Sequence, residues 1–418
     1  MVFPSSRHKV TDVFTPRMTD VNKSIYVDRP ELETELKRAL NGTLHALVYG
    51  ESGSGKSWLC KKVLDDLDAY NVTANCANAS RLSSLTDEIH NAAIPSGTAT
   101  QNSYSVAKEG EIGILEFIKG KLSHNKKYEI KNDEPLLAAF KKIREQAGKR
   151  LAVIVIDNLE SIFDHSEIMS ELADIIILLD DARYAQYKVK LLIVGVPSRV
   201  IEYFSKTKNA STVANRIQEI SEVASLSDIQ VRDLAHKGFV NLLNADISLD
   251  VFEIWKRHIY SVTIGIAQRV HEYCLELAYC LDDDNWIGKS EHLDKADIAW
   301  LKRGLMKSYQ AIESLMNERE TKTGRRNQVL YALSKVDTRT FTASQIEDIL
   351  RAEFPDSTKD ITLGVGQIMG AGLSGDENPI IKRTSNKSTA YEFVDPRYLM
   401  GLRVALRKEN EKVIKCEV

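Results

Sequence analysis

The chain has 418 residues, a formal net charge of −3 and 28% charged residues. Such a length holds two or three domains and a large core, and the near-neutral balance argues against a protein that coats nucleic acid along its whole surface, while leaving room for a local basic face. No apolar stretch is long enough to span a bilayer, and residues 1–20 lack the apolar centre of a signal peptide. Cys60, Cys76, Cys274, Cys280 and Cys416 are scattered without zinc-ligand spacing. They read as free thiols of a reducing cytoplasm.

In chain order, residues 1–24 read as an extended arm, and residues 24–33 lead into a helix with Pro30 near its first turn, where a missing N–H costs little. Residues 44–49 form a short apolar run, the pattern of a buried parallel strand. The next eight residues are Gly50, Glu51, Ser52, Gly53, Ser54, Gly55, Lys56 and Ser57. They fit G-x-x-x-x-G-K-[ST], a phosphate-binding loop, and helical apolar spacing starts at Trp58. Strand, glycine loop and helix form one chemical unit. Glycines let backbone N–H groups wrap a phosphate, and the helix N-terminus adds a favourable dipole. Lys56 would reach the β- and γ-phosphates of ATP, and the Ser57 hydroxyl would ligate Mg²⁺.

Residues 72–76 read as a second strand, and residues 95–132 as a polar insertion or mobile region. Residues 151–157 form a nearly all-apolar, β-branched run that stops at Asp157. A carboxylate at that place would hold Mg²⁺ through water. Many nucleotide hydrolases put Glu directly after it. This chain has Asn158 there, and its next carboxylate is Glu160. Glu160 is a candidate base or an N-cap carboxylate of the following helix. Nucleotide binding is therefore better supported than fast hydrolysis. Residues 191–196 form another buried strand. Strands alternating with helices predict an α/β fold, a parallel sheet with helices on both faces. Residues 217–300 carry no strand signal and read as a helical subdomain, followed by a helical connector over 302–318 and a polar boundary over 317–326.

In the last domain, helices are expected from residue 328, over 342–350 and over 362–371, then short strands over 379–383 and 390–394. Three helices followed by a β-hairpin is the order of a winged helix-turn-helix. Lys382, Arg383 and Lys387 would lie on the wing, where phosphate contacts are common, and Gln367 is the main base-edge candidate of the third helix. From residue 325 onward 15 Lys/Arg face 13 Asp/Glu, a net of +2. Both double-stranded DNA and a protein partner remain open as its ligand.

The order of parts resembles AAA+ P-loop ATPases of the origin-recognition type and related STAND-like ATPases. The resemblance implies a P-loop ATPase core over 25–216 after an arm of 1–24, a helical lid and connector over 217–320, a C-terminal winged helix over 325–405 and a tail of 406–418. It implies that Tyr26 and Val27 line an adenine pocket beside Gly50, Gly53, Ser54, Gly55, Lys56, Ser57 and Trp58. Ser198 falls near the family's polar sensor 1 position. Arg216 precedes the lid as the family's arginine finger does, acting on a neighbouring subunit. The family's sensor 2 motif is Gly-x-x-Arg; after Gly265, Gln268 takes the arginine's place and Arg269, the expected nucleotide contact of this motif, comes one residue late, about 100° further round a helix. The expected protein is a cytoplasmic ATP- and Mg²⁺-dependent switch with slow hydrolysis. Its nucleotide state would control homo-oligomerisation and DNA or partner binding, in mobile-element control or defence against foreign DNA. The alternative is a hydrolysis-poor scaffold whose winged helix holds protein.

Overall fold

The computed structural model describes residues 7–94, 134–195, 204, 207, 209–316, 324–375, 378–385 and 388–418. The expected insertion at 95–132, Ser198 and Lys387 lie outside the described residues. Two compact units result. One holds residues 29–52 and 56–223; the other holds residues 1–28, Gly53–Gly55 and everything from Ala224 onward.

The first unit is built on five parallel strands: β1 (His45–Tyr49), β2 (Tyr70–Asn75), β3 (Ala152–Asp157), β4 (Val189–Gly195) and β5 (Ile217–Glu219), in the spatial order β2-β3-β4-β1-β5. Successive side chains of a strand point to opposite faces, so continuous apolar runs bury both. Leu47, Ile154, Ile156, Leu191 and Ile193 enter one core with Leu85, Ile89, Phe140 and Leu172. Ala46, Val48, Val153, Val155, Leu192 and Val194 enter a second with Leu36, Leu40, Leu59 and Val63. The result is the expected α/β sandwich of helices on both faces.

β5 corrects the reading of 217 as the start of a helical subdomain. Ile217, Gln218 and Glu219 pair in parallel with His45, Ala46 and Leu47, and the chain stays with the sheet through Val223. Three residues, two of them polar, give no strand pattern of their own; the neighbouring strand supplies the pairing.

The second unit contains the helices Asp228–Ala235, Leu249–Thr263, Ala267–Asp282, His292–Gly304 and Met306–Leu315. Its core is a run of aromatic contacts: Phe14 with Phe239 at 4.9 Å between ring centroids, Phe239 with Trp255 at 5.7 Å, and Tyr273 with Trp300 at 5.3 Å. The N-terminal segment is therefore not an extended arm. It forms a helical turn at Val10–Val13, and Phe14, Ile25, Tyr26 and Val27 are buried. Gly238 makes room for it, since a Cβ there would lie 2.4 Å from the Phe14 ring. Residues 25–28 accordingly belong with this unit and not with the sheet.

The same unit ends in a helix (Arg325–Ser334), β6 (Thr340–Thr342), a helix (Ala343–Glu353) capped by the Thr342–Gln345 box, and a short helical stretch from Val365 to Leu373. β7 (Ile381–Arg383) and β8 (Ala390–Phe393) follow, and the three strands pair antiparallel in the order β6-β8-β7. A fourth helix, Pro396–Ala405, leads into an antiparallel hairpin of β9 (Leu406–Glu409) and β10 (Lys412–Lys415). The three helices and the β7–β8 hairpin match expectation. β6, the fourth helix and the terminal hairpin were not legible, and 406–418 is structured where a tail was expected. No helix among the described residues is long and apolar enough to cross a membrane.

Candidate nucleotide-phosphate site

β1 delivers the chain to the glycine loop, and the helix Lys56–Asp66 leaves it. Gly53 and Gly55 take φ of 80° and 98°. That left-handed backbone is strained for residues with a Cβ, so the loop needs glycine at both places. Ser54 is fully buried in the loop, and Ser57 is exposed at the start of the helix. Lys56 Nζ donates to Gly50 O at 2.8 Å and to Glu51 O at 2.9 Å. Burial holds Lys56 below the ordinary amine range, against the opposing pull of the Glu160, Asp157 and Glu51 carboxylates. Those charges act on Lys56 because all four groups share the C-terminal side of the sheet, where ligands of open α/β folds bind.

Asp157 ends β3, half-buried, and its Oδ1 accepts the Asn158 N–H at 2.9 Å. Asn158 has left-handed backbone, φ 57°. Its side-chain amide donates to Asn75 Oδ1 at 3.2 Å, and the same oxygen accepts the Ala77 N–H at 2.9 Å. Glu160 follows in the short helical turn Leu159–Ile162 and is exposed. Asn75 was missed by sequence reasoning. Its signal is its register: it ends β2 opposite Asp157. The Ser57 hydroxyl and the Asp157 carboxylate are hard oxygen donors of the kind Mg²⁺ prefers, so the donor set fits that ion.

Arg216 Nε lies 2.7 Å from Asp180 Oδ2, and its Nη1 donates to Thr212 O at 2.8 Å, so its charge is matched within its own chain. Arg269 Nη1 pairs with Glu272 Oε2 at 2.6 Å, and Gln268 Nε2 donates to the other oxygen of Glu272 at 2.9 Å. The Gln268 backbone N–H donates to Gly53 O at 3.0 Å. Gln268 therefore lies at the loop tip, whereas Arg269, the expected nucleotide contact, is paired with Glu272. Tyr26 and Val27 are buried in the second unit, where Tyr26 O accepts from Lys237 Nζ at 3.1 Å. Trp58 is half-buried in the helix after the loop.

In the C-terminal subdomain Gln367 and Arg383 are exposed, and Lys382 Nζ is held by Glu392 at 3.2 Å. Arg383 stacks over Tyr391 at 5.7 Å. Arg326, not singled out in the sequence, lies against the third helix: a Cβ on Gly372 would meet its Nη2 at 2.8 Å.

Together these features define a P-loop nucleotide-binding domain. Residues 39–204 match the family model described as AAA domain. No curated protein matches the chain. Among solved structures, the chain is similar to the Walker-type ATPase paby2304 of Pyrococcus abyssi, at 15% identity and a TM-score of 0.48, covering 90% of this chain and 96% of that one. It is also similar to the Aeropyrum pernix ORC1 protein in complex with DNA, at 14% identity and a TM-score of 0.45, covering 94% and 96%. A third similarity is to Cdc6p of Pyrobaculum aerophilum, at 14% identity and a TM-score of 0.42, covering 92% and 97%.

Proposed function

We propose that the chain is an ATP-dependent molecular switch with slow Mg²⁺-assisted hydrolysis. The observation that carries this reading is the glycine loop, whose half-buried lysine feels the Asp157 and Glu160 carboxylates. Lys56 would exchange its two loop carbonyls for β- and γ-phosphate oxygens, which restores by charge what burial removes. Ser57 and Asp157 would hold Mg²⁺, which supplies charge neutralisation on the phosphates when bound. Glu160 is exposed and free to accept a proton from water. Asn158 has no acid–base capacity, which supports slow turnover. Asp157→Asn should slow hydrolysis far more than it weakens ATP binding. Wild-type turnover by that variant at limiting Mg²⁺ would contradict the assignment.

The switch's output is oligomerisation and binding of double-stranded DNA by the C-terminal subdomain, which we read as a winged helix. Arg216 would act on a second copy only after leaving Asp180. Gln367, Lys382, Arg383 and Lys387 would form the DNA face, in control of mobile elements or defence against foreign DNA. The second reading is a hydrolysis-poor scaffold that binds protein there instead. Its support is the Lys382–Glu392 pair, which neutralises one wing cation. A salt titration of duplex binding separates them: affinity that falls steeply with salt supports DNA, and no binding at low salt supports the scaffold.

A further inference from the structure

We propose that the N-terminal edge of the parallel sheet, at the end opposite Asp157, is a contact face for the phosphate backbone of duplex nucleic acid, independent of base sequence. The face lies wholly within the unit that carries the sheet, and it is separate from the proposed winged helix.

The chain as a whole has a net charge of −3, yet residues 141–150 and 183–190 together hold eight Lys/Arg against one carboxylate, Glu145. These two segments lead into β3 and β4, which are neighbours in the sheet, so the fold lays one against the other. Arg144 ties them together. Its Nε donates to Tyr187 O at 2.6 Å and its Nη2 to Lys188 O at 2.7 Å, while Nη1 donates to Gly148 O and Arg150 O at 3.0 Å each. A planar fork that binds four carbonyls fixes both turns, and with them Lys149 and Lys188.

Several of these cations are engaged locally. Arg183 pairs with Asp181 at 3.0 Å, Lys142 lies 3.6 Å from Glu145, and Arg150 lies 4.0 Å from Asp68 and donates to Gln146 O. Lys190 donates to Gly42 O and Leu44 O. Lys149 and Lys188 are exposed and form no ion pair among the described residues. Lys188 also has left-handed backbone, φ 48°, a region open to glycine and strained for a long side chain. The turn itself gains nothing from a lysine there, so the side chain serves something outside the turn. Charge and surface character together select the partner. No large hydrophobic side chain of the two segments is exposed. Protein interfaces draw their affinity from desolvated aromatic and apolar anchors, which this edge lacks. Two ammonium groups without an anchor suit phosphates, where point charges and counterion release supply the affinity.

The test is binding of a mixed-sequence DNA duplex by the full chain at salt from about 50 to about 200 mM. It is run on the wild type and in a Lys382→Ala, Arg383→Ala background, which removes the wing's share. In that background, adding Lys149→Ser and Lys188→Gly should flatten the log–log salt slope by about 2, so the same rise in salt weakens binding about tenfold less. Lys188→Gly relieves the backbone, so Tm should hold or rise, which separates lost binding from lost folding. Lys149→Arg with Lys188→Arg keeps both charges and should keep the slope. ATP affinity should be unchanged in every variant, because β3 sets this edge about 20 Å from Asp157. An unchanged slope in the neutral variant, or a slope lost in the arginine variant, overturns this face alone. Tighter binding to poly-glutamate than to the duplex at equal charge overturns it in favour of an acidic protein partner. Failure of the wild type to bind the duplex at the lowest salt overturns this face and the DNA output of the switch together.

Discussion

At the scale of single residues, Lys56 and Asp157 divide the work. Lys56→Ala removes the fixed charge from the loop, while Asp157→Asn leaves the loop intact and would remove the acidic anchor proposed for the metal. Glu160→Gln should slow turnover with unchanged ATP affinity; unchanged turnover assigns the proton elsewhere. These three positions were legible because strand, glycine loop and a carboxylate-ended strand are local patterns. Asn75 and Asp180 were not, because their partners Asn158 and Arg216 are 83 and 36 positions away and only the folded sheet brings them together. Two histidines carry a further consequence. Burial lowers both His45 and His271 to about 4 from the ordinary 6.5. Unfolding lets each bind a proton between those values, so folding stability is whole above pH 6.5 and falls as pH drops toward 4, by up to about 3 kcal/mol per histidine. His271→Gln should flatten the decline of Tm between pH 6.5 and 4; an unchanged slope would contradict the assignment for His271.

At the scale of elements, the N-terminal segment behaves as part of the helical unit. Thr15 N–H donates to His271 Nδ1 at 3.2 Å, Arg7 stacks over Trp286 at 4.3 Å, and Phe14 fills the space that Gly238 leaves open. Gly238→Ala should therefore cost about 1–3 kcal/mol by overpacking, seen as a lower Tm; a neutral substitution would place Phe14 elsewhere. The sequence suggested an arm here because residues 1–24 are polar and aperiodic; burial rests on few apolar side chains, chiefly Val13 and Phe14, contacting a helix more than 200 residues on. β5 escaped for a related reason. Its three residues pair only because β1 presents an open edge, whereas β1, β3 and β4 declare themselves by long apolar runs.

At the scale of the whole molecule, the sheet delivers the phosphate loop, and the C-terminal subdomain carries the proposed output of the switch. Asp180→Asn should release Arg216 and, if Arg216 serves a second copy, raise the concentration dependence of ATP turnover; no change at any concentration would contradict the trans role. Replacing Lys382 and Arg383 with Ala should weaken duplex binding at every sequence and lower its salt slope by up to about 2, with the smaller share from Lys382 because Glu392 already holds it. The central claim is that this loop binds ATP with Mg²⁺. Calorimetric titration of ATP and Mg²⁺ into the wild type and into Lys56→Ala, with matching far-UV spectra, tests it most directly. The account predicts saturable binding that weakens by at least about tenfold, or about 1.4 kcal/mol, in the variant. Equal affinity in the two proteins, or no binding by the wild type, would contradict it.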